Sequence, residues 1–115
     1  MEQDHVEYRK KLQQLSKQLA TKLPDPMHAF SNLHKTTIAD GALTSKTKEL
    51  IALGIAITVR CEGCISYHVS DALHAGASAE EIVETIGVAI LMGGGPAMVY
   101  GCEALEALEQ FLAED

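Results

Sequence analysis

Apolar residues recur at every third or fourth position along most of the chain, a spacing that places them on one face of successive α-helices. Strict alternation of apolar and polar residues, which is typical of strands, produces no convincing segment. The pattern therefore predicts an all-α fold of about six helices. The predicted helices cover residues 5–22, 27–35, 45–60, 64–74, 78–92 and 97–113.

Capping and helix-breaking residues separate these segments. The Pro-Asp-Pro sequence at 24–26 ends the first helix, and the Asp-Gly pair at 40–41 predicts a turn. Gly76 suits the C-terminal cap of the fourth helix, and the capping box that begins at Ser78 opens the fifth. Three glycines followed by Pro96 mark the break before the last helix.

Two helices carry patterns that predict where the core lies. Residues 50–59 are apolar nearly all round the third helix, which predicts a central helix buried on several sides. On the sixth helix an apolar stripe predicts the buried face, and the third cysteine falls within it as an unreactive core residue. The stripe consists of Val99, Cys102, Leu105, Leu108 and Leu112.

Length and charge limit the function further. The 115 residues fit one domain, 1–115, with an N-terminal helix at 5–22 and a core from about 24 to 113. The net charge of −7 argues against nucleic acid as a partner. No apolar run is long enough to span a membrane, and the polar start lacks the apolar region of a signal peptide, so we expect a cytoplasmic protein.

Charge is distributed unevenly along the chain. Five of the nine Lys and Arg residues lie between Arg9 and Lys22, and none follows Arg60. The basic first helix of one protomer can therefore cover acidic helices of another, although covering its own is equally allowed. Because the chain is small and its third helix is apolar on many faces, we expect an obligate homo-oligomer.

The candidate chemistry lies around two cysteines at the predicted start of the fourth helix. With Cys61 at the N-terminal cap, Cys64 is one turn away, and His68 is one turn beyond Cys64. A helix N-terminus and a nearby imidazole both stabilise a thiolate, which is the reactive form of cysteine. A second thiol within one turn can trap a sulfenic acid as a disulfide. In a reducing compartment such a pair indicates redox or metal chemistry.

Glu49 is the fourth candidate, and its position depends on the turn between two helices. In a helix over 45–60, Glu49 lies about 18 Å from Cys61, from a rise of about 1.5 Å per residue. It can approach His68 only if the next helix folds back as a hairpin, directly or through a water molecule.

Together these residues form the pattern E-x11-C-x2-C-x3-H, met by Glu49, Cys61, Cys64 and His68. The chain here resembles the alkylhydroperoxidase D-like branch of the carboxymuconolactone decarboxylase family. The resemblance extends from about Pro24 to Leu112. It includes Gly-Ala-Leu-Thr at 41–44, Lys-Glu-Leu-Ile-Ala-Leu at 48–53 and Met-Gly-Gly-Gly-Pro at 92–96.

The resemblance implies a peroxidase that reduces alkyl hydroperoxides or hydrogen peroxide through a disulfide cycle. It assigns Cys64 as the thiolate attacked by peroxide and Cys61 as the resolving thiol. His68 and Glu49 are assigned to the proton relay. It implies a dithiol reductant, either a lipoyl group or a thioredoxin-like protein, no metal or flavin cofactor, and a trimer or hexamer.

Two neighbours of the cysteines depart from that family. Its full-length peroxidase is longer and has a histidine just before the second cysteine, where this chain has Gly63. Glu62 lies beside the pair, and a carboxylate there raises thiol pKa values. Peroxidase turnover is therefore expected to be weak, and disulfide exchange or redox sensing is an alternative.

Three other interpretations remain open. Glu49, Cys61, Cys64 and His68 can supply zinc with four ligands, although structural zinc sites usually draw on two separated ligand pairs. The family name suggests a lactone decarboxylase, but the decarboxylases of the family generally lack the cysteine pair. The cysteines can also merely pack in a helical oligomer.

No role is assigned to the isolated residues His28, His34, His74 and Cys102.

Overall fold

The computed structural model describes residues 3–114, which form six α-helices and no strand. This confirms the predicted all-α fold of six helices. Within residues 3–114, no helix combines the length and apolarity that a bilayer span requires. The helices are α1 (His5–Lys22), α2 (Pro24–Ile38), α3 (Ser45–Thr58), α4 (Glu62–His74), α5 (Ala79–Gly93) and α6 (Gly95–Ala113).

The ends of the helices follow the local signals closely. Thr44 caps α3, Cys61 caps α4, and Ser78 caps α5 in a capping box with Glu81. The lowered pKa of Glu81 follows from its hydrogen bonds to Ser78 and Lys46. The predicted second helix was too short, because α2 begins at Pro24; prolines in a first turn lack only N–H groups that have no partner in the helix.

The core lies among α3, α4, α5 and α6. Helix α3 packs against α2, α4, α5 and α6, and α4 and α6 each contact four other helices as well. Leu53 and Ile57 of α3 are completely buried, as are Ile65 of α4 and Ile82 of α5. Aliphatic side chains therefore fill the core, in agreement with the low aromatic content of 4%.

We expected α3 to be buried on several sides, but within a single chain only one side of this helix is buried. Ile51, Ile55 and Val59 are exposed by 48%, 57% and 63%. On α5, the neighbouring Val88 and Leu91 are also exposed. An apolar groove of about 420 Å³ runs between α3 and α5.

The predicted buried face of α6 was wrong apart from Leu108. Cys102 is exposed, as are Val99, Leu105 and Leu112. The buried face instead carries small residues, because α5 and α6 pack too closely for larger ones. An added Cβ at Gly101 would lie 2.8 Å from Cγ2 of Ile86, which is less than real Cβ contacts allow. The small residues on this face are Ala97, Gly101, Ala104 and Ala107.

Helix α1 is fixed at its first turn by a buried histidine. The His5 side chain is completely buried, with Nδ1 hydrogen-bonded to the Ser66 hydroxyl of α4 and Nε2 3.2 Å from a Glu103 oxygen of α6. The His5 backbone N–H donates to Gln110, at 2.7 Å. Farther along α1, the apolar residues Leu15 and Leu19 are half exposed.

Two glycines provide a matched test of the packing between α5 and α6. Gly87→Ala should raise the free energy of unfolding by about 0.5–1 kcal/mol, because Gly87 has open space around it and alanine is the better helix former. Gly101→Ala should instead lower it by about 1–3 kcal/mol, because the new methyl group meets Ile86. Urea denaturation followed by circular dichroism measures both. Equal effects of the two substitutions would contradict the close packing at Gly101.

Candidate functional site

The site begins with the tight reversal between α3 and α4. Arg60 adopts a left-handed conformation, with φ of 61°. Its N–H donates to the carbonyl of Ile57 at 3.2 Å, and the N–H of Cys61 donates to that of Ala56 at 3.0 Å. This is a Schellman motif, with arginine at the position that glycine usually fills. It makes α4 fold back along α3.

The residue that completes this motif also starts the next helix. Cys61 is the N-terminal cap of α4, and its Sγ accepts a hydrogen bond of 3.3 Å from the N–H of Cys64. The two cysteines are joined by a disulfide, with their Cα atoms 5.2 Å apart. The predicted cap and the predicted proximity of the two sulfur atoms are both present. In this oxidised form the sulfur atoms are bonded to each other and cannot ligate zinc as thiolates.

His68 and Glu49 meet directly across the hairpin. Nδ1 of His68 lies 2.8 Å from Oε1 of Glu49, without an intervening water. Glu49 is only 4% exposed, whereas the side chain of His68 is 20% exposed. Because the carboxylate accepts, Nδ1 carries the proton, which leaves Nε2 to exchange protons. The structure thus brings together the four residues selected from the sequence, as a disulfide beside a histidine–carboxylate pair.

Three residues that the sequence reasoning missed extend the site. Nη2 of Arg9, from α1, lies 3.4 Å from Oδ1 of Asp71, and the guanidinium group lies over the Tyr67 ring, 5.3 Å from its centre. Burial raises the pKa of Asp71, as does the negative charge of Glu49, while Arg9 and His68 oppose the increase. Asp71 follows His68 by one turn, so its spacing was a usable signal. No signal in the sequence indicated Arg9, because only tertiary packing brings α1 to the site.

The disulfide opens onto a cleft of about 610 Å³ between α1, α2 and α4. Much of its wall is apolar, and its polar lining includes Arg9, His68 and Asp71. His34 of α2 also lines it, but His28 does not. Its apolar lining comes from Leu12, Met27, Phe30 and Tyr67.

The floor of the cleft is closed between the two cysteines. A Cβ added at Gly63 would lie 2.9 Å from Cδ1 of Leu12, so α1 occupies the space that a side chain would need. The remaining histidine of α4, His74, donates a hydrogen bond within its own helix, from Nδ1 to the Ser70 carbonyl oxygen at 2.8 Å. That carbonyl can only accept, so His74 donates, and it takes no part in the cleft.

Comparison with known proteins places this arrangement in a family. The sequence model of the carboxymuconolactone decarboxylase family matches residues 24–107. An uncharacterised protein of Cupriavidus necator is 39% identical over 82 residues, which are 71% of this chain and 73% of that protein. Uncharacterised protein 4 of the cox locus of Paracoccus denitrificans is 43% identical over 82 residues, 71% of this chain and 74% of that protein.

Solved structures agree over nearly the whole chain. A carboxymuconolactone decarboxylase family protein from Legionella pneumophila has a TM-score of 0.89 at 40% identity, covering 93% of this chain and 96% of its own. A family protein from Thermotoga maritima, described as "possibly involved in antioxidative response", has a TM-score of 0.80 at 31% identity and covers 96% and 92%. With the family model and the relatives in agreement, the chain belongs to the carboxymuconolactone decarboxylase family.

Proposed function

We propose that the protein is a thiol-dependent peroxidase of the alkylhydroperoxidase D-like branch, which reduces alkyl hydroperoxides or hydrogen peroxide. The observation that carries the proposal is the Cys61–Cys64 disulfide one helical turn from the His68–Glu49 pair. Cys61, Cys64 and His68 line the same cleft, so a peroxide there meets the sulfur and the imidazole together. The description of the Thermotoga maritima relative points to related chemistry.

The proposed cycle starts from the reduced pair. His68 takes the proton of the Cys64 thiol, and the thiolate attacks the outer oxygen of the hydroperoxide. The O–O bond breaks, the leaving alkoxide takes the proton from His68, and Cys64 becomes a sulfenic acid. Cys61 then loses its thiol proton, its thiolate attacks the Cys64 sulfur, and the hydroxide that leaves takes up that proton to form water. The products are an alcohol, water and the disulfide.

The two cysteines divide these roles by position. Cys64 lies one turn from His68 and packs partly against the apolar core. Cys61 lies at the helix end, where a thiol can exchange with an external dithiol. Such a dithiol, a lipoyl group or a thioredoxin-like protein, returns two electrons and two protons and becomes a disulfide itself. This restores both thiols without a metal or flavin.

Serine substitutions separate the two thiol roles. Cys64→Ser should reduce peroxide consumption to the uncatalysed level, because it removes the nucleophile. Cys61→Ser should stop turnover after one event and leave a sulfenic acid on Cys64, which dimedone labelling and mass spectrometry detect. Cys102→Ser is the matched control and should retain activity, since Cys102 is exposed on α6 and does not line the cleft. Labelling of Cys61 in Cys64→Ser would reverse the two assignments.

The proton relay is tested on the neighbouring pair. His68→Ala should slow the peroxide step by roughly 10²–10⁴-fold, the usual contribution of a general acid or base. Glu49→Gln should cause a smaller loss, because the amide oxygen still orients the imidazole but cannot stabilise its charge. Stopped-flow measurement of sulfenic acid formation gives the rates. His74→Ala, on the same helix, is the control; an equal loss there would contradict a specific role for His68.

We also propose that the protein is a homo-oligomer, a trimer or hexamer. The support is an outer apolar face, which we define as Ile51, Ile55, Val88, Leu91 and Met92 of α3 and α5. All five are exposed, Leu91 by 81%. Contiguous exposed apolar surface of this kind is typical of interfaces, and the small size of the chain limits the core of one protomer.

Analytical ultracentrifugation at low micromolar concentration tests the association. The wild type should sediment as a trimer or hexamer of the 12.4 kDa chain. Leu91→Lys should shift it towards the monomer, because a charge cannot be buried unpaired in the contact. Leu43→Lys is the matched control, since Leu43 is exposed outside that face. A wild-type monomer, or equal dissociation of both variants, would contradict the proposal.

A further inference from the structure

We propose that His34, Glu49 and Asp71 form a binding site for a divalent transition-metal ion, with Zn²⁺ as the best match, beside the cysteine cleft. The three residues come from α2, α3 and α4. One potential ligand atom from each lies within 4.8 Å of the other two. The site differs from a zinc site built on the cysteines, since it needs no sulfur ligand and exists with the disulfide closed.

The spacing of the ligand atoms suits an ion after small side-chain movements. Zinc bonds to histidine nitrogen and carboxylate oxygen are about 2.0–2.2 Å long, so two ligand atoms of one tetrahedral ion are separated by about 3.4 Å. The ligand atoms must therefore move closer together. The His34 side chain can make this movement, because it is exposed and can change rotamer. Glu49 is held in place by His68.

The charges at the site favour a cation. Glu49 is buried and lies beside Asp71, which is itself partly buried, so two carboxylates of like charge share one enclosed position. Arg9 meets Asp71 at 3.4 Å, and His68 meets Glu49 at 2.8 Å. Each of these contacts uses only one of the several acceptor positions of its carboxylate. An ion can therefore bind without displacing either partner.

The surroundings of the ligands resemble those of a site with open coordination positions. His68 holds Glu49 by a hydrogen bond, which is how ligating carboxylates are commonly oriented. Three protein ligands leave at least one position for water or a small molecule, and His34 and Asp71 line the cleft that contains the disulfide. One imidazole with two carboxylates suits Zn²⁺ better than Mg²⁺, which prefers oxygen ligands alone.

A bound ion would also fasten α2 to the rest of the molecule. Helix α2 has no buried residue and makes its contacts with α1 and α3. His34 is its ligand to the ion, while Glu49 and Asp71 lie on the two helices of the central hairpin. Metal binding should therefore raise the melting temperature, and a chelator should reverse the increase.

Titration of the oxidised protein with Zn²⁺ tests the site. The full chain without a histidine tag is titrated calorimetrically in a non-chelating buffer, without peroxide or reductant, so the result is independent of the proposed peroxidase activity. We expect one ion per chain. His34→Ala and Asp71→Asn should each weaken binding by at least about tenfold, which is the smaller of the losses usual even for residues that only orient ligands.

Three controls locate the ion. His28→Ala removes another exposed histidine of α2 that does not line the cleft, and it should leave affinity unchanged. Glu106→Gln alters a second histidine–carboxylate cluster, His5 with Glu103 and Glu106, and should also leave it unchanged. The Cys61→Ser/Cys64→Ser double variant should bind as the wild type does. Equal losses in His28→Ala and His34→Ala, loss in the cysteine variant, or no binding by the wild type would each overturn the proposal.

Discussion

The arrangement of the site depends on one backbone reversal, the left-handed turn at Arg60. The last turn of α3 and the first turn of α4 are both completed there, so α4 must run back beside α3. A left-handed conformation is costly for a residue with a side chain. The hydrogen bonds to Ala56 and Ile57, together with the packing of the two helices, hold it in place. As a result Glu49 meets a histidine 19 positions later in the sequence.

Glu49 takes part in both the proposed proton relay and the proposed metal site. It is nearly enclosed, and a buried carboxylate needs hydrogen bonds or opposite charge to remain ionised. His68 supplies one such contact, while the nearby Asp71 adds negative charge. A proton on His68 or a cation shared with Asp71 would each neutralise part of that charge. The same electrostatic requirement thus underlies a proton relay and a metal site, and both would act on one carboxylate.

Local signals in the sequence correctly predicted much of the fold and of the site. Features that depend on tertiary packing could not be predicted from those signals. The cap at Cys61, the box at Ser78 and the six helices depend on neighbouring residues, so they could be read directly. The exposure of Cys102 could not be predicted from the sequence, because two faces of α6 are apolar. The close approach of α5 determines that the face with small residues is the buried one. Likewise, Arg9 reaches the cleft because a buried His5 fixes α1 there.

The contact between Leu12 and Gly63 links two distant parts of the chain. Because the leucine fills the space over the glycine, a larger residue between the two cysteines would require a smaller or displaced one at position 12. A histidine at position 63 would therefore fit beneath this first helix only if the Leu12 side chain moved. Substitutions at the two positions are expected to be accepted in pairs, so the N-terminal helix constrains which residues the redox motif can acquire by mutation.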